Sequence, residues 1–205
     1  MKKLGYLIFI VITIITLVSC TPKIDLVKEK KDIESVAKDL IIDDFKPEFA
    51  DMETKLIPES VKIHEIMDLD DYVYMLYSYN YKVVDVKNES NTENEDFMKS
   101  KDYYLMQLRV IQKDNSSPLG YKLMGGGGGG GTVQDSPFTA SGSGNKVYGL
   151  INNNKVAKIA AEYKDGRVIT QNVENKDYFF IYRYDKEDVS FPSFKAYDKN
   201  GVLVE

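Results

Sequence analysis

Apolar residues along the chain fall into three regimes. Residues 4–20 form a run without a charge, rich in Ile, Leu and Val. Ile33, Val36, Ala37, Leu40, Ile41 and Phe45 then recur at helical spacing between Asp, Glu and Lys, which predicts an amphipathic helix with one buried stripe. Asp32 is a candidate N-cap and Pro47 a stop, with Thr21 to Lys31 a charged tether ahead of the helix. An apolar stripe of this kind needs a covering surface, most simply a sheet.

From Ser60 onward the period shortens to that of strands. Val61 to Met67 alternates loosely, and Asp68-Leu69-Asp70-Asp71 reads as a turn. Tyr72 to Tyr81 carries five tyrosines among Val, Met and Leu, and Val83 to Val86 extends it. Asn88 to Lys101 is polar and reads as an exposed loop. Tyr103 to Gln112 places Tyr104, Met106, Leu108 and Val110 on one face, and Leu119 to Met124 follows a Ser-Ser-Pro turn signal. Seven consecutive glycines, Gly125 to Gly131, come next. Such a run offers no side chain to a core and loses the most entropy on ordering, so residues 125–145 are expected to be a connector. Beyond it Val147 to Ile151, Val156 to Tyr163, Arg167 to Val173, Tyr178 to Tyr184, Phe194 to Tyr197 and Val202 to Val204 are candidate strands. Asp165-Gly166 and Asn200-Gly201 mark hairpin turns, because both pairs tolerate positive φ. The pattern predicts an α+β fold: an N-terminal helix on an antiparallel sheet (32–124), a glycine-rich connector (125–145), and a small C-terminal β-sandwich-like unit (146–205). The last is small enough to be marginal alone and to need the first to pack on.

The opening run carries an address. Lys2 and Lys3 precede it, and it ends in Leu17-Val18-Ser19-Cys20. A positive start, a short apolar core and that terminus match a lipoprotein signal, cleaved before a cysteine that receives diacylglycerol. Residues 1–19 are then the signal peptide, Cys20 the lipidation site, and 20–31 the anchor and tether. The expected location is the extracytoplasmic face of the cell membrane. An uncleaved membrane helix is the competing reading, since the run sits at the low edge of the roughly 17–25 residues that span a bilayer; plain secretion is a third.

Charge and composition narrow the function classes. The 205 residues include 27 basic and 32 acidic ones, for a net charge of −5, which argues against a nucleic-acid partner. The acidic excess lies between Thr21 and Asp71, beside the anchor, where anionic head groups would repel it within about a Debye length of 8–10 Å. One cysteine and one histidine preclude an internal disulfide and a Cys/His zinc cluster.

Few constellations point to chemistry. His64 is the only histidine, so any Ser–His–Asp set must use it, yet no nucleophile-elbow motif is present; the favoured reading is a surface or hydrogen-bonded strand residue. The glycine run lacks the Lys-Ser/Thr of a phosphate-binding loop, being followed by Thr132-Val133. Asp68, Asp70 and Asp71 are weak candidates for a cation site, without the spacing or glycine of an EF-hand. Tyr72, Tyr74, Tyr77, Tyr79 and Tyr81 are the candidate ligand contacts. Tyr72 and Tyr74 share one strand face and the other three the opposite one; an open tyrosine face binds glycan or peptide by stacking and hydroxyl contacts, whereas a covered one simply packs.

The segments Gly120-Tyr121-Lys122-Leu123-Met124-Gly125-Gly126, Ser136-Pro137-Phe138-Thr139, Tyr148-Gly149-Leu150-Ile151 and Ala196-Tyr197-Asp198-Lys199-Asn200-Gly201 together resemble uncharacterised two-module lipoproteins of Gram-positive bacteria. The resemblance spans Val61 to Glu205 and departs at Tyr121 and Leu123, where tryptophans would be expected. It implies an envelope address and a two-module layout, and no catalytic residue. The expected role is therefore a non-enzymatic binding or interaction protein with no cofactor, held at the membrane by a lipid anchor and meeting a protein or glycan of the envelope. The alternatives are a carboxylate-based cell-wall hydrolase, or an accessory or immunity-type protein holding one protein partner.

Overall fold

A computed structural model describes residues 26–46, 48–49, 52–69, 72–86, 96, 98–132, 136–184 and 190–204. The address segment with Cys20 therefore lies outside the described residues, as do Asp70 and Asp71. The chain divides into two compact units, Met1–Ile33 and Glu34–Glu205. The described part of the first is the opening of one helix, α1 (Leu26–Asp44); the second holds the rest of α1 and the sheets.

α1 begins at Leu26, so Asp32 lies inside the helix and does not cap it, and residues 26–31 are helix where a tether was expected. Leu, Lys and Glu in that stretch are good helix formers, and the apolar stripe marks only the part of a helix that is covered. α1 ends at Asp44, short of Pro47, which disfavours helical geometry before it.

The second unit is built on a five-stranded antiparallel sheet: β1 (Glu48–Phe49), β2 (Met52–Leu69), β3 (Tyr72–Val86), β4 (Asp102–Lys113) and β5 (Tyr121–Thr132), in that spatial order. The β2–β3 register breaks between Glu53 and Thr54, between Ile57 and Lys62, and between Ile63 and Glu65. The last break leaves His64 as the extra residue of a bulge. Along β3, residues 75–79 are all buried, because the middle of the sheet is covered on both faces. Ala37, Leu40 and Ile41 of α1 are buried, and the ring of Phe45 meets that of Tyr79 edge-on at 5.7 Å. On the opposite face Leu76, Met106 and Leu108 join Tyr148 of the C-terminal strands in one buried cluster.

Those C-terminal strands are β6 (Ser141–Ser143), β7 (Lys146–Leu150), β8 (Lys158–Glu162), β9 (Val168–Asn172), β10 (Tyr178–Tyr182) and β11 (Ser193–Tyr197). They form two antiparallel three-stranded sheets, ordered β10-β7-β6 and β11-β8-β9. Val147, Phe179 and Ile181 from the first share a core with Ile159, Ala161 and Ala196 from the second. Gly166 (φ 85°) and Gly201 (φ 81°) occupy the two expected turns, and the segment Val202 to Val204 contributes one bridge, Tyr197 to Leu203. The architecture is α+β and mainly antiparallel β.

The glycine run departs from expectation. Gly126 to Gly131 pair residue by residue with Arg109 to Tyr104 of β4, and Gly125 is a bulge between Met124 and Gly126. Residues 125–131 thus complete the first sheet, and 141–143 already belong to the next; residues 125–145 are not a free connector. Composition records the entropy lost on ordering glycine but not the neighbours that exclude a side chain. A Cβ on Gly126 would stand 2.2 Å from the Leu108 carbonyl oxygen, whereas one on Gly127 would meet only the Tyr148 hydroxyl, at 3.7 Å. Gly126→Ala should therefore destabilise the fold by about 1–3 kcal/mol, the usual range for overpacking. Gly127→Ala should be neutral or stabilising by up to about 1 kcal/mol, since alanine is the better strand residue. Urea denaturation of the two variants beside the parent checks the contrast; equal losses would mean the strand is not as close-packed as described.

Candidate functional site

The five candidate tyrosines separate by strand alternation. Tyr77 and Tyr79 are buried, 1% and 7% exposed, while Tyr72 is 57% exposed. The Tyr77 hydroxyl donates to Gln107 Oε1 (2.5 Å). Arg109 ties this cluster to α1, its Nη1 donating to Asp44 Oδ2 (3.0 Å) and Gln107 Oε1 (3.3 Å). Burial raises the Tyr77 hydroxyl well above its ordinary value and pushes Tyr79 up to about 12, so both stay neutral. Tyr81 is half-buried and stacks on Tyr103 at 5.5 Å. These three pack through their rings, with an internal hydroxyl partner recorded for Tyr77, so the five tyrosines do not share one open face.

Tyr74 is different. It is half-buried on the other face, edge-on to Tyr72 at 6.5 Å, and it lines a cleft of about 340 Å³. Leu108, Gly126 and Gly127 form the floor, and Gly142, Ser143, Lys146 and Tyr148 of β6 and β7 form the far wall. The Tyr148 hydroxyl donates to the Gly127 carbonyl oxygen (2.5 Å). Lys146 Nζ lies 5.5 Å from the Tyr74 ring centre and 4.9 Å from that of Tyr182, so a cation is held between aromatic faces at the cleft wall. The size lies in the range of small-ligand and peptide-anchor sites. Its described lining offers aromatic faces, hydroxyls, main-chain amides and the Lys146 ammonium. Of these residues the sequence marked only Tyr74 as a contact; the glycines were legible, but as a connector. Lys146 carries no local signal, because its setting is made by strands distant in the chain.

His64 is the second constellation. At the bulge its Nε2 lies 2.8 Å from Ser78 Oγ of β3, and its Nδ1 lies 3.8 Å from Asp177 Oδ1, just before β10. Tyr178 packs on the ring at 5.0 Å and donates from its hydroxyl to Glu65 Oε2 (3.2 Å). Lys62 is ion-paired with Asp177. With a carboxylate on the Nδ1 side, the favoured tautomer carries its proton on Nδ1 and accepts the Ser78 hydroxyl proton at Nε2. The order Ser78, His64, Asp177 is that of a charge-relay set. The fit stops there: the His64 side chain is 1% exposed and Ser78 8%, so a substrate carbonyl has no approach to Oγ, and Nδ1 to Oδ1 exceeds hydrogen-bond length. Burial, partly offset by Asp177 and reinforced by Lys62, lowers the His64 pKa to about 4, which suits a neutral structural histidine better than a base.

The acidic turn does not mature into a metal site among the described residues. Asp68 is exposed in β2 opposite Val73, and no group of three or more His, Cys, Asp or Glu side chains able to hold an ion occurs among them. No described helix is long and apolar enough to cross a membrane. Comparison with protein-family models, with curated proteins and with solved structures gives no match to this chain.

Proposed function

We propose that the chain is an extracytoplasmic lipoprotein, anchored through diacylglycerol on Cys20, that binds a ligand in the cleft over β5 without transforming it. The observation that carries the binding role is the lining itself: tyrosine rings, hydroxyls, glycine backbone and Lys146, with no carboxylate or imidazole among the described residues that line the space. Hydrolysis of a glycan needs two facing carboxyl groups, so the lining favours holding over cleaving. In the finer architecture of this reading, α1 covers the sheet face opposite the cleft, which the Phe45–Tyr79 and Arg109–Asp44 contacts support. The two C-terminal sheets act as a small sandwich that supplies the cleft's far wall. The address rests on Lys2, Lys3, the uncharged residues 4–20 and the terminus Leu17-Val18-Ser19-Cys20. Two acyl chains hold a protein to a membrane stably where one is marginal.

Cys20→Ser tests the anchor. The parent protein, expressed in a Gram-positive host, should incorporate labelled fatty acid and sediment with membranes. The variant should incorporate none and retain its signal segment, because cleavage follows lipid transfer. An unlabelled parent protein, or identical processing of both, would overturn the assignment.

A further inference from the structure

The five-stranded sheet and the β10-β7-β6 sheet meet along a seam with two unlike parts. One part is apolar: Leu76, Met106 and Leu108 pack on Tyr148, with Leu150, Tyr178 and Phe180 alongside. The other is polar. Lys62 is ion-paired with Asp177, and Glu65 Oε2 accepts from the Tyr178 hydroxyl (3.2 Å). The His64 ring lies among Ser78, Asp177 and the ring of Tyr178, and Lys176 Nζ stands 5.6 Å from the centre of that tyrosine ring. Among the described residues the buried apolar cluster of the seam is smaller than the core shared by the two C-terminal sheets, so the seam is the weaker joint and the first expected to open.

His64 is the group at the seam whose ordinary pKa lies nearest neutrality. Its side chain is buried, while those of Lys62 and Asp177 reach water. Among the described residues Nδ1 has no hydrogen-bond partner. With one proton on Nδ1, a second goes to Nε2, and both nitrogens are then donors. The Ser78 hydroxyl must turn from donor to acceptor, and Asp177 is too distant to bond Nδ1 directly. Burial accordingly lowers the pKa of the ring from 6.5 to about 4. An opening that admits water to the ring restores the ordinary value, so below it a proton favours the open form.

We propose that His64 is a proton-sensitive latch, whose protonation releases the β10-β7-β6 sheet from the five-stranded sheet while the strands within each stay paired. β7 carries Lys146 and Tyr148 of the far wall of the cleft, so release moves that wall and acid empties the cleft. That last consequence rests on the cleft being a binding site; the latch itself does not.

Methionine oxidation by dilute hydrogen peroxide reads the release without a ligand. Peroxide turns an accessible thioether into a sulfoxide, at a rate nearly independent of pH. Met106 is buried in the seam, Met75 is buried on the other face of the same sheet, and Met124 is exposed and serves as the reference. Relative to Met124, the initial rate at Met106 should rise roughly eightyfold from about pH 7.5 to about pH 4.5, the ratio that one proton with these two pKa values dictates. Met75 should lag well behind Met106 throughout. In His64→Gln the Met106 rate should stay flat over the same range. The chain has one histidine, so the imidazole proton resonances of the unsubstituted protein give a check that needs no variant: they should titrate near 4. The proposal is overturned by a Met106 rate that ignores pH, by an equal rise in His64→Gln, or by an imidazole that titrates near 6.5. A common rate for Met75 and Met106 also overturns it, because whole-chain unfolding would then be the route to both. None of these outcomes touches the reading of the cleft as a binding site, which stands or falls on ligand binding at neutral pH.

Discussion

Asp165→Asn should destabilise the chain by about 3–5 kcal/mol, the usual consequence of breaking a buried ion pair from one side. Arg183 is 2% exposed, the most deeply placed charge among the described residues. Its Nη1 and Nη2 donate to Asp165 Oδ1 (3.3 Å) and Oδ2 (2.5 Å), and its guanidinium lies 4.7 Å from the Tyr163 ring centre. Asparagine keeps the acceptor for the Arg167 amide in the β8–β9 turn but removes the negative charge and turns N–H groups towards a guanidinium that has only donors. The cation, buried in a low-dielectric site, then loses the bidentate carboxylate that offsets much of its desolvation. Arg183→Met should lose well under half as much. Its apolar side chain fills much of the same volume, and the Asp165 side chain left behind is 35% exposed and can rehydrate. Denaturant midpoints for the parent and both variants decide the matter. Asp165→Asn losing less than Arg183→Met would show that the pair is not desolvated as its geometry implies.

Stability should also fall by about 3 kcal/mol on acidification from neutral pH to about 4, through His64 alone. In the unfolded chain this histidine protonates near 6.5; in the folded protein burial lowers that value to about 4. Between those limits the unfolded state holds the extra proton, so folding weakens as pH falls, and the contribution is complete only above the unfolded value. Each pKa unit corresponds to about 1.36 kcal/mol. The groups facing the ring are Ser78 on β3, Lys62 on its own strand, and Asp177 and Tyr178 before and within β10. Asp177 adds its own share at lower pH. Burial would raise its pKa, but the Lys62 ammonium and His64 outweigh that and hold it below the ordinary carboxylate value, so its contribution fades as pH drops through the acid range. In His64→Gln, which keeps an amide within reach of Ser78, the fall between pH 6.5 and about 4 should shrink by that 3 kcal/mol. Other carboxylates titrate in both proteins and cancel. Parallel stability curves for the two would show that the ring is solvated in the folded protein.

Much of the fold was legible locally. The period of α1, the alternation of β3 and β4, and the turns at Gly166 and Gly201 each follow from residues within a few positions of one another, because helix stripes, strand faces and positive-φ turns are short-range consequences of side-chain chemistry. The split of the five tyrosines between two faces was legible for the same reason. Which face is covered was not, since that depends on residues distant along the chain, such as Tyr148, which packs on Leu76 and Leu108. His64 was visible as the lone histidine, but Ser78 and Asp177 become its neighbours only through the bulge and the packing of β10.

The glycine run marks the boundary most clearly. By itself the sequence determined the α+β composition, the strand periods and turns, and the charged start, apolar run and cysteine on which the envelope assignment rests. Tertiary structure alone decided that seven residues without side chains become an edge strand, that Tyr74, Lys146 and Tyr148 converge over it, and that His64 and Arg183 are stripped of water. Propensity measures what a residue loses on ordering; pairing with β4, and exclusion of solvent by strands distant along the chain, decide what it gains.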